Sequence, residues 1–279
     1  MPELPEVEAV ARILRPLVAG QRVRSVQVFH AIAIRPQAPA QLARRITGRK
    51  VVGVSRKGKY LFLDLDRGLI EAHFRFDGQL IWLDSAKELL ERANRKPGGV
   101  HVDVAFELAK GVLCFADGRH LGRVHFWESA ETCVPLNQLG VDALSPQFTT
   151  KFLRKELASS TRPSKEFLLD QSRIAGIGNI YSCEALWHAA VDPRRPANSI
   201  NDKEAAKLHK GIVSVLRRAL ECCLDPAPTF RDPEWWFEGL EKILRVYQRE
   251  GQPCRRCGAE IRRIEQGGRS TYCCLKCQR

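Results

Sequence analysis

The sequence predicts an α+β protein: an N-terminal helix attached to a β-sandwich or barrel, then a helical region, then a small cysteine-rich module. Three observations predict it. Apolar residues recur at helical spacing at the start, switch to period two between Arg22 and about Trp127, and return to helical spacing from about Thr149. Two Cys-x-x-Cys pairs close the chain. A length of 279 residues suits two domains with a small appendage.

Each element follows from its local pattern. Val7, Val10, Ala11, Leu14 and Leu17 form one helical stripe, with Pro5 in the first turn and Gly20 just past the end. VRSVQV, KVVGVS, KYLFLDL, LIEAHF, QLIWL, HVDVAFEL and VLCFA read as strands, and RKGK, AKG and ADGR as hairpin turns. VPLNQLGVDALSPQF lacks a clean period and reads as a linker. KFLRKELASS, PSKEFLLDQ, IYSCEALWHAA and DKEAAKLHKGIVSVLRRALECC read as helices, broken by the Pro-rich DPAPTFRDPEWW. The expected domains are therefore 1–133, a linker over 134–148, a helical domain over 149–240 and a zinc module over 241–279.

Composition narrows the function. No apolar run approaches a membrane span, and the acidic start MPELPEVEAV is unlike a signal peptide, so a cytoplasmic protein is expected. Lys plus Arg number 45 against 32 Asp plus Glu, a net +13 that favours a polyanionic partner, nucleic acid first. The stretch from Leu240 to Arg279 holds ten Lys/Arg and four Asp/Glu, and alone supplies +6.

The tail reads as a metal site. Cys254 and Cys257, then sixteen residues, then Cys274 and Cys277 match the spacing of a four-thiolate zinc ribbon. With four protein ligands the single zinc is structural, not catalytic. Position 276 is Lys, so Cys273 cannot begin a second pair. IRRIEQGGRSTY between the pairs reads as a hairpin turning at Gly267-Gly268, which puts Arg269 at its tip, a position suited to a phosphate or a groove. The alternative for Arg269 is an ordinary solvated charge. Cys114, Cys133, Cys183, Cys222, Cys223, His101 and His125 read as structural.

Two further features carry chemistry. Ala175-Gly176-Ile177-Gly178-Asn179-Ile180 lies between helical patterns; its glycines permit close backbone approach, and Asn179 could cap the following helix. A plain helix connection explains the same turn. Pro2 follows Met1; removal of Met1 would expose a secondary amine able to form an iminium with an aldehyde, with Glu3 beside it as acid or base. Pro and Glu are also ordinary residues at a helix start.

Together, MPELPEVE, GIGNIYSCEALW and the ending CxxC…GGRSTYCCLKCQ resemble the bacterial formamidopyrimidine-DNA glycosylase / endonuclease VIII family, the opening being closer to the former branch. The resemblance spans nearly the whole chain. It implies an antiparallel β-sandwich, a helix–two-turn–helix domain around Asn179 and a zinc finger carrying Arg269, the domains clamping bent duplex DNA across a basic cleft. It implies a monomeric base-excision-repair glycosylase with abasic-site lyase activity, acting on damaged double-stranded DNA in the bacterial cytoplasm at the nucleoid. Pro2 would attack the sugar C1′, Glu3 would protonate the ring oxygen, and Glu6 would hold the helix and site together. Lys59 matches the family's hairpin lysine, Lys57 being the poorer match. His73, Asn179 and Arg269 would contact the phosphates flanking the lesion, the nucleotide being flipped from the duplex.

The chain departs from the family at named places. Phe74-Arg75-Phe76 replaces a Leu-Gly-Met run, so Phe76 takes the position of the gap-filling Met. Asp117-Gly118-Arg119-His120-Leu121-Gly122 replaces Asp-Pro-Arg-Arg-Phe-Gly, which keeps Arg119 opposite the orphaned base and makes Leu121 the wedge. PAPTFRDPEWWFEGLEKIL stands where the 8-oxoguanine branch has a longer Gly-rich loop; Trp235-Trp236 could line the lesion pocket there, but are expected to anchor the Pro-rich loop by packing. The alternatives that follow are a lesion other than 8-oxoguanine, or a relative that binds damaged DNA without excising.

Overall fold

The computed structural model describes residues 2–93, 101–225, 230 and 239–279. Trp235, Trp236 and most of the stretch expected to replace the Gly-rich loop lie outside the described residues. The chain forms two compact units. The first holds residues 1–2, 6–137 and 223–238; the second holds 3–5, 138–222 and 239–279. Among the described residues no helix is long and apolar enough to cross a membrane.

The first unit begins with α1 (Leu4–Val18), whose stripe Val7, Val10, Ala11, Leu14 and Val18 is fully buried. Among the described residues eight strands follow: β1 (Ser25–Val28), β2 (Val51–Lys57), β3 (Tyr60–Leu65), β4 (Leu69–His73), β5 (Gln79–Leu83), β6 (Val102–Leu108), β7 (Gly111–Ala116) and β8 (Arg123–Trp127). They form two antiparallel sheets, ordered β1-β6-β7-β5 and β2-β3-β4-β8. Side chains alternate across each strand. Leu80, Trp82, Val104, Phe106, Leu113 and Phe115 of one sheet join Leu61, Leu63, Ile70, Val124 and Phe126 of the other in a shared core with α1. Ile81, Leu83, Ala105, Cys114 and Ala116 face the opposite way and meet Leu89 of α3 (Ala86–Ala93). That second cover explains why VLCFA is apolar at every position: both of its faces are buried.

Three sequence expectations are corrected here. The β region is interrupted by α2 (Pro39–Ile46), which buries Leu42 and Ile46 one turn apart behind an N-terminal Pro39. ADGR is not a hairpin turn: β7 pairs with β5 and β6 while β8 pairs with β4, so the loop crosses from one sheet to the other. The segment between 134 and 148, read as a linker without a clean period, contains α4 (Val134–Gln138) and β9 (Val141–Asp142), which pairs in parallel with β10 (Ile174–Ala175). RKGK and AKG do form their hairpins.

The second unit holds α5 (Thr150–Ala158), α6 (Ser164–Leu168), α7 (Asn179–Ala189), most of α8 (Asp202–Leu224), α9 (Leu240–Ile243) and the hairpin β11 (Arg262–Gln266)–β12 (Arg269–Cys273). Thr149 caps α5, its side chain accepting from Phe152 N–H at 3.1 Å.

The AKG hairpin gives a direct test of the packing. A Cβ on Gly111 would lie 2.5 Å from the Trp82 ring and 2.6 Å from Leu83 O. We expect Gly111→Ala to destabilise the first unit by about 1–3 kcal/mol, read as a lower midpoint in chemical denaturation.

Candidate active site and nucleic-acid interface

The start of α7 has no side-chain cap of its own. Its N-cap residue is Gly178, which has no side chain to satisfy the first N–H groups. Glu3 does so from 175 positions earlier. Gly178 N–H donates to Glu3 Oε2 at 2.6 Å, Ile180 N–H to Oε1 at 2.8 Å, and Tyr181 N–H to Oε2 at 3.5 Å. Glu3 is 2% exposed, so this carboxylate is held rigidly at the positive end of the helix. Leu4 N–H adds a bond to Gly176 O at 3.2 Å. The preceding glycine is required: Gly176 has φ +107°, and a Cβ there would lie 2.4 Å from Leu4 Cδ1.

Asn179, the first residue of α7, does not cap the helix as its sequence position suggested. Its Nδ2 donates to Ser270 O in the zinc hairpin at 3.0 Å. Lys165 of α6, which the sequence did not single out, donates to the same oxygen at 2.9 Å and to Thr271 Oγ1 at 2.7 Å. Burial pulls the Lys165 ammonium below its ordinary range. Two residues from α6 and α7 thus pin the strand that begins with Arg269. Gly267 and Gly268 both have positive φ, the requirement of a tight two-residue hairpin, and Arg269 stands exposed at its tip.

The four expected cysteines converge. Their Sγ atoms all lie within 4.8 Å of one another, with Cys254–Cys277 at 4.0 Å and Cys257–Cys274 at 3.5 Å. A tetrahedral zinc with Zn–S bonds of about 2.3 Å requires sulfur separations of about 3.8 Å, so the donor set fits the ion. Trp187 Nε1 and Arg256 N–H each donate to Cys254 Sγ at 3.4 Å and fix that ligand. Cys273 is buried outside the cluster. Glu184 supports the module from α7: its buried carboxylate accepts from the N–H groups of Arg245, Val246 and Tyr247 at 2.8–2.9 Å.

In the first unit, Pro2 and Glu6 are buried. Lys59 follows the positive-φ Gly58 in the β2–β3 hairpin and is 7% exposed. His73 ends β4 opposite Tyr60, the rings 4.4 Å apart. Burial, then the nearby Arg75 and Lys59 charges, push the His73 pKa down to about 3. The ring is therefore neutral near pH 7. Its Nδ1 faces Arg75 N–H at 3.2 Å and must act as acceptor, which leaves the proton on Nε2. A neutral Nε2–H beside two cations is a suitable donor to a phosphate oxygen.

Two of the departures named above lie in neighbouring loops, one carrying Phe76 and the other Arg119 and Leu121. Phe76 and Leu121 are 53% and 44% exposed, unusual for such apolar residues. The Arg119 guanidinium lies 5.1 Å from the Phe76 ring centroid and pairs with Asp77, Nη2 donating to Oδ1 at 2.7 Å. Asp117, not anticipated from sequence, is the buried post that shapes the second loop. Its carboxylate accepts from the N–H groups of Arg119, Leu121 and Gly122 at 2.9, 2.9 and 2.6 Å.

Family models match the chain in three stretches. These are the formamidopyrimidine-DNA glycosylase N-terminal domain over residues 1–124, the formamidopyrimidine-DNA glycosylase H2TH domain over 139–225, and the zinc finger found in FPG and IleRS over 251–279. Among curated relatives, the formamidopyrimidine-DNA glycosylases of Bacillus licheniformis and Geobacillus kaustophilus are 36% and 37% identical, each over 100% of both chains. Among solved structures, Lactococcus lactis Fpg in complex with DNA containing N7-benzyl-Fapy-dG aligns with a TM-score of 0.86 at 31% identity over 99% of each chain. The same enzyme with DNA containing an abasic site aligns with a TM-score of 0.86 at 30% identity over 99% of each chain.

Two outcomes follow from this geometry. Gly176→Ala should unseat residues 3–5 from the turn and cost about 2–4 kcal/mol, measured by urea denaturation. His73 titrates at about 3 when folded and at about 6.5 when unfolded. The unfolded chain then binds more protons between those values, so stability is full above about pH 6.5 and falls as pH drops through that window. His73→Gln should flatten the fall in melting temperature between pH 6.5 and 4; an unchanged slope would show that His73 does not drive it.

Proposed function

The chain belongs to the formamidopyrimidine-DNA glycosylase family, and on that footing we propose that Pro2 and Glu3 excise oxidised bases from duplex DNA and then open the abasic strand. The observation that carries the reading is the seating of Glu3: a buried carboxylate, fixed by the start of α7, one peptide bond from the proline. After removal of Met1, the Pro2 nitrogen attacks C1′ and the bond from C1′ to the base breaks. The base leaves with the electron pair and takes up a proton. Glu3 takes the proton released by the Pro2 nitrogen and delivers it to the ring oxygen, the sugar opens, and an iminium links Pro2 to C1′. Loss of a proton from C2′ then expels the 3′ phosphate, and a second elimination can release the 5′ phosphate.

The other residues hold the substrate. Lys59, the neutral His73, Asn179 and Arg269 contact phosphates on either side of the flipped nucleotide, while Glu6 supports α1 from the buried side. Phe76 and Leu121 fill the space the nucleotide leaves, and Arg119 meets the orphaned base. The structural zinc holds Arg269 in place and takes no part in bond making. The enzyme acts as a monomer on damaged double-stranded DNA, in the bacterial cytoplasm at the nucleoid. A second reading, specialisation on lesions other than 8-oxoguanine, draws on the exposed aromatic Phe76 stacked with Arg119 at the gap-filling position.

Borohydride trapping tests the chemistry, because hydride reduces the iminium to a stable amine. The panel would carry 8-oxoguanine, formamidopyrimidine, oxidised pyrimidines, hydantoins, a plain abasic site and undamaged DNA. We expect covalent adducts at the abasic site and at one or more oxidised bases, lost in Pro2→Gly. Their ranking identifies the preferred lesion. Intact lesion binding with no adduct anywhere would overturn the enzymatic reading in favour of a binding relative.

A further inference from the structure

Beneath the loop that carries Arg119 and Leu121 lies a group of side chains that the reaction does not use. Asp103 of β6 is fully buried, and two imidazoles converge on one of its oxygens: His120 Nδ1 at 2.6 Å and His30 Nδ1 at 3.1 Å from Oδ1. Its other oxygen, Oδ2, is buried without a hydrogen-bond partner. The three residues come from three separate segments: the turn after β1, strand β6 and the crossing loop. One donor atom from each lies within 4.8 Å of the others. The His30 and His120 ring centroids are 4.5 Å apart, and a third imidazole, His101, lies 6.2 Å from His120. His120 reaches this position with φ +52°, a left-handed conformation uncommon for a residue with a side chain.

We propose that His30, Asp103 and His120 form a second metal site, which takes a zinc-like divalent transition-metal ion. Two nitrogens and a carboxylate oxygen are a donor set that such ions accept, with water completing the coordination. Bonds of about 2.0–2.2 Å spread the donors to separations of about 3.0–3.5 Å, a small opening of the present cluster. An ion there also neutralises a buried carboxylate and gives its unused oxygen a partner. Because His120 lies between Arg119 and Leu121, the ion ties that loop to β6 from below. The proposal is independent of the glycosylase reading, since it concerns only the donors and the ion.

The test uses the full chain with its four-cysteine site already filled by one equivalent of zinc, titrated with cobalt(II). We expect a second equivalent to bind, with the weak visible bands of nitrogen and oxygen ligation and no new thiolate-to-metal charge transfer. His30→Ala and His120→Ala should each weaken that second site at least about tenfold, while His209→Ala, whose ring packs on Phe148 and is not among the three donors, leaves it unchanged. His30 is partly exposed, so its variant should fold, which a melting curve checks. Elemental analysis after dialysis should give two metal ions per wild-type chain and one per variant. A stoichiometry fixed at one, thiolate bands alone, or variants that bind the second equivalent as tightly as the wild type would each overturn the proposal.

Discussion

Helix α7 begins on a glycine and therefore cannot satisfy its own first N–H groups. A buried helix start left in that state would cost about 1–3 kcal/mol for each stranded donor. Glu3 removes the problem, and in doing so it fixes its own position to within the tolerance of three hydrogen bonds. The same helix delivers Asn179 to the zinc hairpin and, five residues on, Glu184 to the chain entering the zinc module. The turn at Gly176, the seat of Glu3 and the support of Arg269 are consequences of one uncapped helix.

Buried carboxylates repeat this solution elsewhere. Glu184 gathers three N–H groups of an irregular segment, and Asp117 gathers three from the crossing loop. Neither segment has a helix or strand to satisfy its backbone, so a fixed acceptor inside the protein takes that role. In each case the acid sets a segment that carries side chains named above: Arg119 and Leu121 beside Asp117, the cysteine module beyond Glu184. Burial raises the Glu184 carboxyl from its ordinary range, and the three donated bonds oppose that shift.

Much of the fold was legible because it is local. Period-two patterning located seven strands, Gly58 and Gly111 marked real hairpins, and the apolar stripe of α1 is buried except at Leu17, which is half-buried while the neighbouring Val18 faces the core. α2 was hidden because eight residues hold only two buried positions, too few to stand out within a β region. The misread ADGR turn shows the limit of turn chemistry: a Gly-containing loop signals a reversal but not which strand comes next to which. β9 and β10 are two residues each, below the length at which any period can be read.

The candidate site divides along the same line. Sequence alone determined the zinc ligands, because two residues between cysteines suffice to aim both thiolates at one ion. It also determined the Gly267-Gly268 turn that exposes Arg269, and the apolar character of Phe76 and Leu121. Only the tertiary structure decided that Glu3 caps a helix 175 residues away, that Asn179 faces a hairpin instead of its own helix, that His73 is neutral, and that His30, Asp103 and His120 meet. The physical reason is the range of the interactions. Turns and ligand pairs are set by bonds between neighbours, whereas a cap from afar, a shifted pKa or a shared carboxylate depends on which surfaces burial of the core brings into contact.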